Sequence, residues 1–273
     1  MTSLPERAPD GADVPAPLQL TGERTLPDIP DERYWFERHV VAYELAAARV
    51  RADVASDAGR GSVVLDAGCG EGYGLAMLAD AGASRVVGVD LEAPVVDHVR
   101  HRYATSHPAV EAHVAELMDL PLADGEVDLT VSFQVIEHLH DIPGYLRSLR
   151  RVTRPGGEVW IATPNRLTFT PDSDVPVNPF HTREFTADEL RTECEAAGLD
   201  VVSVVGVFHG RRLRAVEVAT RRTFVDLITS TSPEGWPAWL RAVVHRVDAS
   251  WFRWSREDLD RSLDLLAICR VPR

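Results

Sequence analysis

The segment Val63-Val64-Leu65-Asp66-Ala67-Gly68-Cys69-Gly70-Glu71-Gly72-Tyr73-Gly74 sets the architecture of this chain. Its apolar opening predicts a buried strand, the glycines predict a tight turn, and a helix is expected from about Gly72 through Leu75, Met77 and Leu78. Glycine has no Cβ, so it accepts positive φ and lets a ligand lie against the backbone. The spacing is acid-x-Gly-x-Gly-x-Gly from Asp66 onward. A dinucleotide fingerprint would read G-x-G-x-x-G, with pyrophosphate on the helix N-terminus, but Tyr73 stands where its third glycine belongs.

Strand signals recur along the chain. Val86-Val87-Gly88-Val89 predicts a second buried strand ending in Asp90, and a third is expected around Val110 to Val114. Val127-Asp128-Leu129-Thr130-Val131-Ser132 predicts a fourth, running into Phe133-Gln134-Val135-Ile136-Glu137-His138-Leu139. A Pro155-Gly156-Gly157 turn precedes the fifth, Glu158 to Ala162; Val201 to Phe208 and Leu263 to Cys269 predict the last two. Thr186 and Glu189 form a capping box for a helix ending at Ala197, where Gly198 stops it. A further helix is expected from Asp31 to about Val54, and the segment from Gly210 to about Asp260 reads as helical.

Between about residues 60 and 165 these motifs, in this order, resemble the class I S-adenosylmethionine (SAM) dependent methyltransferases, whose first motif is the acidic, glycine-rich turn. The resemblance implies an α/β fold: a doubly wound, seven-stranded Rossmann-like sheet, its last strand antiparallel between the fifth and sixth. It implies SAM as cofactor, bound at Asp66, Gly68, Cys69 and Gly70, with Asp90 accepting the hydrogen bonds of the ribose diol. Leu91 would cover the adenine, and Glu116 and Leu117 stand where the family contacts the adenine amine, although many members carry Asp in place of Glu116. Phe133 completes the set, and Arg38 or His39 of the N-terminal helix would meet the methionine carboxylate, unless they form a solvated helix face.

Length and composition fit one compact enzyme domain over residues 21–273, long enough to bury a full core. Within it, residues 21–55 are read as an N-terminal lid and residues 164–186 and 210–260 as helical caps over the acceptor. Residues 1–20, with Pro5, Pro9, Pro15 and Pro17 among acids and alanines, are expected to be a disordered tail. A formal charge of −13 disfavours nucleic acid as partner. The basic residues are 29 Arg and no Lys, a bias that fits a GC-rich, actinobacterial genome. Cys69, Cys194 and Cys269 lack metal-ligand spacing and fit a reducing compartment. With no leader pattern and no apolar run of about eighteen residues, the expected protein is cytoplasmic and spans no membrane. Monomer and homodimer stay open.

Open α/β sheets bind ligands at the C-terminal ends of their strands, which places the chemistry after strands four and five. Methyl transfer from a sulfonium is an in-line displacement, so the protein must chiefly align the nucleophile. An alcohol must also lose a proton. His138 is the candidate general base, since imidazole titrates near about pH 6.5; its alternative role is to order the loop. Gln134-x-x-Glu137-His138 is similar to a cation-binding loop of the ubiquinone-biosynthesis O-methyltransferases, which implies Mg²⁺ held by Gln134, Glu137 and His138. In the alternative reading Glu137 is a helix-cap acid; His140 and Asp141 are nearby alternates.

The acceptor side also resembles the actinobacterial O-methyltransferases of methylmannose and methylglucose polysaccharides, on Thr21-Gly22-Glu23-Arg24, Tyr34-Trp35-Phe36-x-Arg38-His39 and Val177-Asn178-Pro179-Phe180-His181. This implies O-methylation of a small-molecule hydroxyl on a mannose- or glucose-based oligosaccharide, with Glu23, Tyr34, Trp35, Asn165 and His181 contacting it. Aromatic faces cover sugar C–H surfaces, and acids and amides take the hydroxyls. A quinol is the alternative acceptor. An RNA methyltransferase would need an Asn/Asp-Pro-Pro-aromatic loop where this chain has Ser132-Phe133-Gln134-Val135; a non-catalytic SAM-binding protein is the third class.

Overall fold

The computed structural model describes Leu18, residues 24–56 and residues 61–273. The expected tail, Leu18 apart, and Glu23 lie outside the described residues. Helix α1 (Arg33–Ser56) leads into β1 (Val63–Ala67), α2 (Tyr73–Asp80), β2 (Arg85–Asp90), α3 (Ala93–Val99), β3 (Val110–Val114), β4 (Val127–Phe133), α4 (Ile142–Val152) and β5 (Thr153–Pro164). These five strands pair in parallel in the order β3-β2-β1-β4-β5. The chain continues through α5 (Arg166–Phe169), α6 (Ala187–Ala196), β6 (Asp200–His209), α7 (Arg211–Thr220), α8 (Phe224–Thr229), α9 (Ala238–Val244), β7 (Phe252–Ser255) and β8 (Asp264–Arg270). Strand β8 lies antiparallel between β5 and β6, at the place the resemblance implies.

The parallel strands are apolar nearly throughout because helices cover both faces of the sheet. Successive side chains point to opposite faces. Leu65 therefore joins Tyr145, Leu146 and Leu149 of α4 and Leu190 of α6, while neighbouring Val64 joins Tyr43, Ala46 and Val50 of α1 and Leu75 and Leu78 of α2. The Thr186–Glu189 capping box is present at the start of α6, and Gly198 follows with φ 79°. No helix among the described residues is long and apolar enough to cross a membrane.

Three expectations change. The sheet has eight strands rather than seven, because Phe252–Ser255, inside the segment read as helical, pairs antiparallel with β6 from Gly206↔Ser255 to His209↔Phe252. Gly210 permits this return: its N–H donates to Trp251 O at 2.7 Å, and a Cβ there would lie 2.6 Å from that oxygen. Tyr34, expected to face the acceptor, is fully buried in a third core with Phe224, Leu240 and Phe252. Its hydroxyl lies 2.7 Å from His209 Nε2, and the other nitrogen of that ring lies 2.8 Å from Glu217 Oε1. An aromatic ring at that helix position thus serves packing.

Asn165 is likewise a seam of the fold and not part of an acceptor surface; it is 0% exposed. Its Nδ2 donates to Leu259 O (2.8 Å) and Ser262 O (3.0 Å), and its Oδ1 accepts from Leu167 N (3.1 Å) at the start of α5. These bonds tie the chain leaving β5 to the turn that enters β8. Asn165→Ala leaves buried carbonyls unpaired and removes a helix cap, so it should cost about 2–3 kcal/mol. Urea unfolding of the two proteins measures this directly; a cost below about 0.5 kcal/mol would contradict the seam.

Candidate active site

The glycine turn after β1 docks on the end of β2: Gly68 N and Cys69 N both donate to Val89 O, at 2.8 and 3.0 Å. Gly68 (φ 86°) and Gly70 (φ 52°) adopt the left-handed conformation that glycine takes without strain. A Cβ on Gly68 would come within 2.5 Å of Val135 Cγ2, so the turn also closes against the segment after β4. A Cβ on Gly70 would meet nothing within 4 Å. That open side faces a cleft of about 440 Å³.

Gly68, Cys69, Gly70, Asp90, Leu91, Glu116, Leu117 and Phe133 all line this cleft, and Gln134 and His138 line its wall beyond β4. The Asp90 carboxylate is aimed by two backbone amides, Gly70 N on Oδ2 and Glu92 N on Oδ1, each at 3.0 Å. Arg38 is not among the lining residues. Its guanidinium lies 3.2 Å from Asp264 and stacks between the rings of Trp35 and Phe169, so Trp35 is engaged there too. Its neighbour His39 does line the cleft, with Thr25 Oγ1 3.3 Å from Nδ1 and Arg38 Nη2 3.3 Å from Nε2. Burial, with Arg38 beside it, holds the His39 imidazole well below its ordinary pKa, and the ring is neutral.

Gln134, expected to join Glu137 and His138 around a metal, is directed elsewhere. Gln134 sits at φ 58°, uncommon for a residue with a side chain, and its Nε2 points to Asp264 Oδ1 at 3.3 Å. Gln134 N is tied to Ala162 O at 2.8 Å as β4 ends, and the side chain reaches the first residue of β8. His181 is the residue that lies close to Glu137 and His138. Glu137, His138 and His181 each bring a ligand atom within 4.8 Å of the others, and the two imidazole rings meet edge-on at 5.0 Å. Glu137 is 1% exposed, and burial raises its carboxyl above the ordinary range.

Asp66 does not face the cleft. It is fully buried beneath the turn, where Tyr43 Oη donates to Oδ2 at 3.0 Å. The Tyr43 ring packs edge-on against Phe133 and Tyr73 and lies where a Cβ on Gly74 would be. Reading Tyr43 as ordinary helix packing misses this role, since nothing in the local pattern shows which carboxylate its hydroxyl meets. Arg24, which lines the cleft and bonds Glu92 Oε1 at 2.9 Å, was visible only as part of the Thr21-Gly22-Glu23-Arg24 motif.

Burial pushes the Asp66 carboxyl up to about 7, against the lowering effect of the Tyr43 hydrogen bond, with Asp90 adding a further rise. In the unfolded chain an aspartate titrates near about 3.9. The folded state therefore binds the extra proton between these values, and stability falls as pH rises across that window and levels off above it. Asp66→Asn should remove this slope: denaturant titrations between about pH 4 and about pH 8 should show wild type losing stability relative to the variant as pH rises. A constant difference across the range would contradict the assignment.

A protein-family model described as a methyltransferase domain matches residues 65–161. A relative from Mycobacterium tuberculosis H37Rv, named "Probable S-adenosylmethionine-dependent methyltransferase", is 44% identical over 94% of this chain and 91% of its own. A relative of the same name from Mycolicibacterium smegmatis is 43% identical over 97% and 99%. The solved structure of a SAM dependent methyltransferase from Mesorhizobium loti shares the fold at 18% identity, with a TM-score of 0.51 over 77% of this chain and 91% of that one. The chain belongs to the class I SAM-dependent methyltransferases.

Proposed function

We propose that the cleft holds SAM between the glycine turn and Asp90 and presents its methyl group to an acceptor hydroxyl beside His138. The fit is supported by the open side of Gly70, which lets a ligand lie on the backbone, and by the amide-aimed carboxylate of Asp90, suited to a ribose diol. Leu91, Glu116 and Leu117 are assigned to the adenine side and Phe133 to the cleft floor. Arg38 keeps its charge on Asp264 and leaves the cofactor set. When bound, SAM supplies a methyl carbon on a good leaving group. The chain's own residues align the acceptor and remove its proton.

The observation that carries the O-methylation reading is the position of His138, which lines the same cleft as Gly70 and Asp90. Its Nδ1 lies 3.1 Å from the Phe180 carbonyl, which orients the ring, and we assign its imidazole the role of base towards the acceptor hydroxyl. The acceptor we favour is a neutral hydroxyl of a mannose- or glucose-based oligosaccharide. Gln134, His138 and His181 supply polar contacts for it, and the charge of −13 disfavours a polyanion. Tyr34 and Asn165 take no part. A quinol is the second reading, favoured by the exposed apolar side chains of Val175, Val177 and Phe180 on the loop that reaches His138. Mg²⁺ is not carried forward: a hard cation takes oxygen ligands, and the converging groups include two imidazoles.

Asp90→Ala should weaken SAM binding by about 1.5–3 kcal/mol, the range for a charged hydrogen bond, with unchanged calorimetric affinity contradicting the ribose role. His138→Gln should lower turnover by about 10²-fold or more while SAM affinity stays near wild type. The acceptor class is tested with labelled SAM against neutral mannose and glucose oligosaccharides, quinols and RNA. Methylation of a quinol or RNA but of no saccharide would overturn the sugar reading and leave methyl transfer intact.

A further inference from the structure

We propose that Glu137, His138 and His181 form a site for one divalent transition-metal ion, of the zinc, manganese or iron(II) class, at the acceptor end of the cleft. Their ligand atoms lie within 4.8 Å of one another. Bonds of about 2.0–2.2 Å to a shared ion require a side-chain adjustment of roughly 1 Å. The surroundings go beyond proximity. The Glu137 carboxylate is 1% exposed and receives the Thr163 hydroxyl at 3.0 Å, while its backbone carbonyl accepts from Thr182 N at 2.7 Å, which fixes the loops carrying the ligands against each other.

Both imidazoles are oriented by hydrogen bonds to neighbouring groups. His138 directs Nδ1 at the Phe180 carbonyl, and His181 directs Nδ1 at Glu184 Oε1, 2.7 Å away. Asn178 Nδ2, a donor, faces His181 Nε2 at 2.9 Å, so that nitrogen carries the lone pair, and an ion takes the amide's place. Glu184 is itself buried, at 3% exposure. A carboxylate behind a ligating imidazole orients the ring and raises its basicity. Two imidazoles and one carboxylate on one side of an ion suit transition metals, whereas Mg²⁺ takes oxygen.

This inference rests on the acceptor-side reading above and deepens it. An ion held here lies beside the wall that His138 forms and takes the acceptor hydroxyl as a further ligand, which lowers the hydroxyl's pKa. The proton then leaves to water, the oxygen–methyl bond forms and the carbon–sulfur bond breaks. With the ion bound, His138 acts on the hydroxyl through the metal.

Chelator-dialysed protein is titrated with Co²⁺ by visible absorption, and with Zn²⁺, Mn²⁺ and Mg²⁺ by calorimetry. One saturable site is expected, with Zn²⁺ at least about 100-fold tighter than Mg²⁺. His181→Ala and Glu137→Gln should each abolish it, and Glu184→Gln should weaken it by about 10–100-fold, all with SAM affinity unchanged. Absence of a site, equal affinity for Mg²⁺, or wild-type binding in His181→Ala would overturn the proposal. If no ion binds and His138→Gln still costs turnover, the metal fails and the base stands; if the ion binds and His138→Gln leaves turnover unchanged, the acceptor-side reading fails instead.

Discussion

One hydroxyl on one buried carboxylate organises the part of this protein that carries the glycine turn and the cleft. The Asp66 side chain lies under the glycine turn with no access to solvent, and Tyr43 Oη is the donor that meets it. Burying a carboxylate is costly unless it is hydrogen-bonded or neutralised. The tyrosine that answers this need belongs to α1, and its ring touches Phe133 at the end of β4 and Tyr73 at the start of α2. Four elements are thereby fixed around the turn. The shape of the cleft floor follows from that junction, because neither Gly74 nor Gly68 could carry a Cβ without displacing Tyr43 or Val135.

The segments that follow β4 and β5 are organised differently, by backbone seams. Thr182 N and Arg183 N both bond the carbonyl of Glu137, so the loop after β5 is stitched to the turn after β4. Asn165 performs a similar task between β5 and the approach to β8. These seams bring His181 to His138 across more than forty residues of sequence. The imidazole pair is a product of loop docking, whereas Asp90 and the glycines are products of strand order.

That difference explains what the amino-acid sequence made legible. Local patterns carried the parallel half of the sheet, the capping box of α6 and the glycines, because strand periodicity, turn chemistry and helix caps are short-range. The lining residues from Gly68 to Phe133 sit in or beside those patterns and were readable with them. Tyr34 and Asn165 were assigned to the acceptor on residue type and the acceptor-side resemblance, and both are buried. Arg38 and His39 are adjacent on α1, yet only the second lines the cleft, since Asp264, far along the chain, claims the guanidinium. Strand β7 was hidden by an arginine- and tryptophan-rich stretch whose pairing depends on where β6 ends.

The position of β8 has a consequence for how the protein is made. It hydrogen-bonds to both β5 and β6, so until residue 270 has been synthesised two strand edges that the finished sheet covers stay open. The parallel half can assemble first, around Asp66. The other half must wait, and a nascent chain holds unpaired edges during that interval, when contact with another chain is most hazardous. Asp264, the first residue of β8, is also the anchor of Arg38 and Gln134. The part of the cleft wall that Gln134 forms is therefore completed by the same event that closes the sheet, and a ribosome-bound chain holds the glycine turn and Asp90 before that wall is fixed.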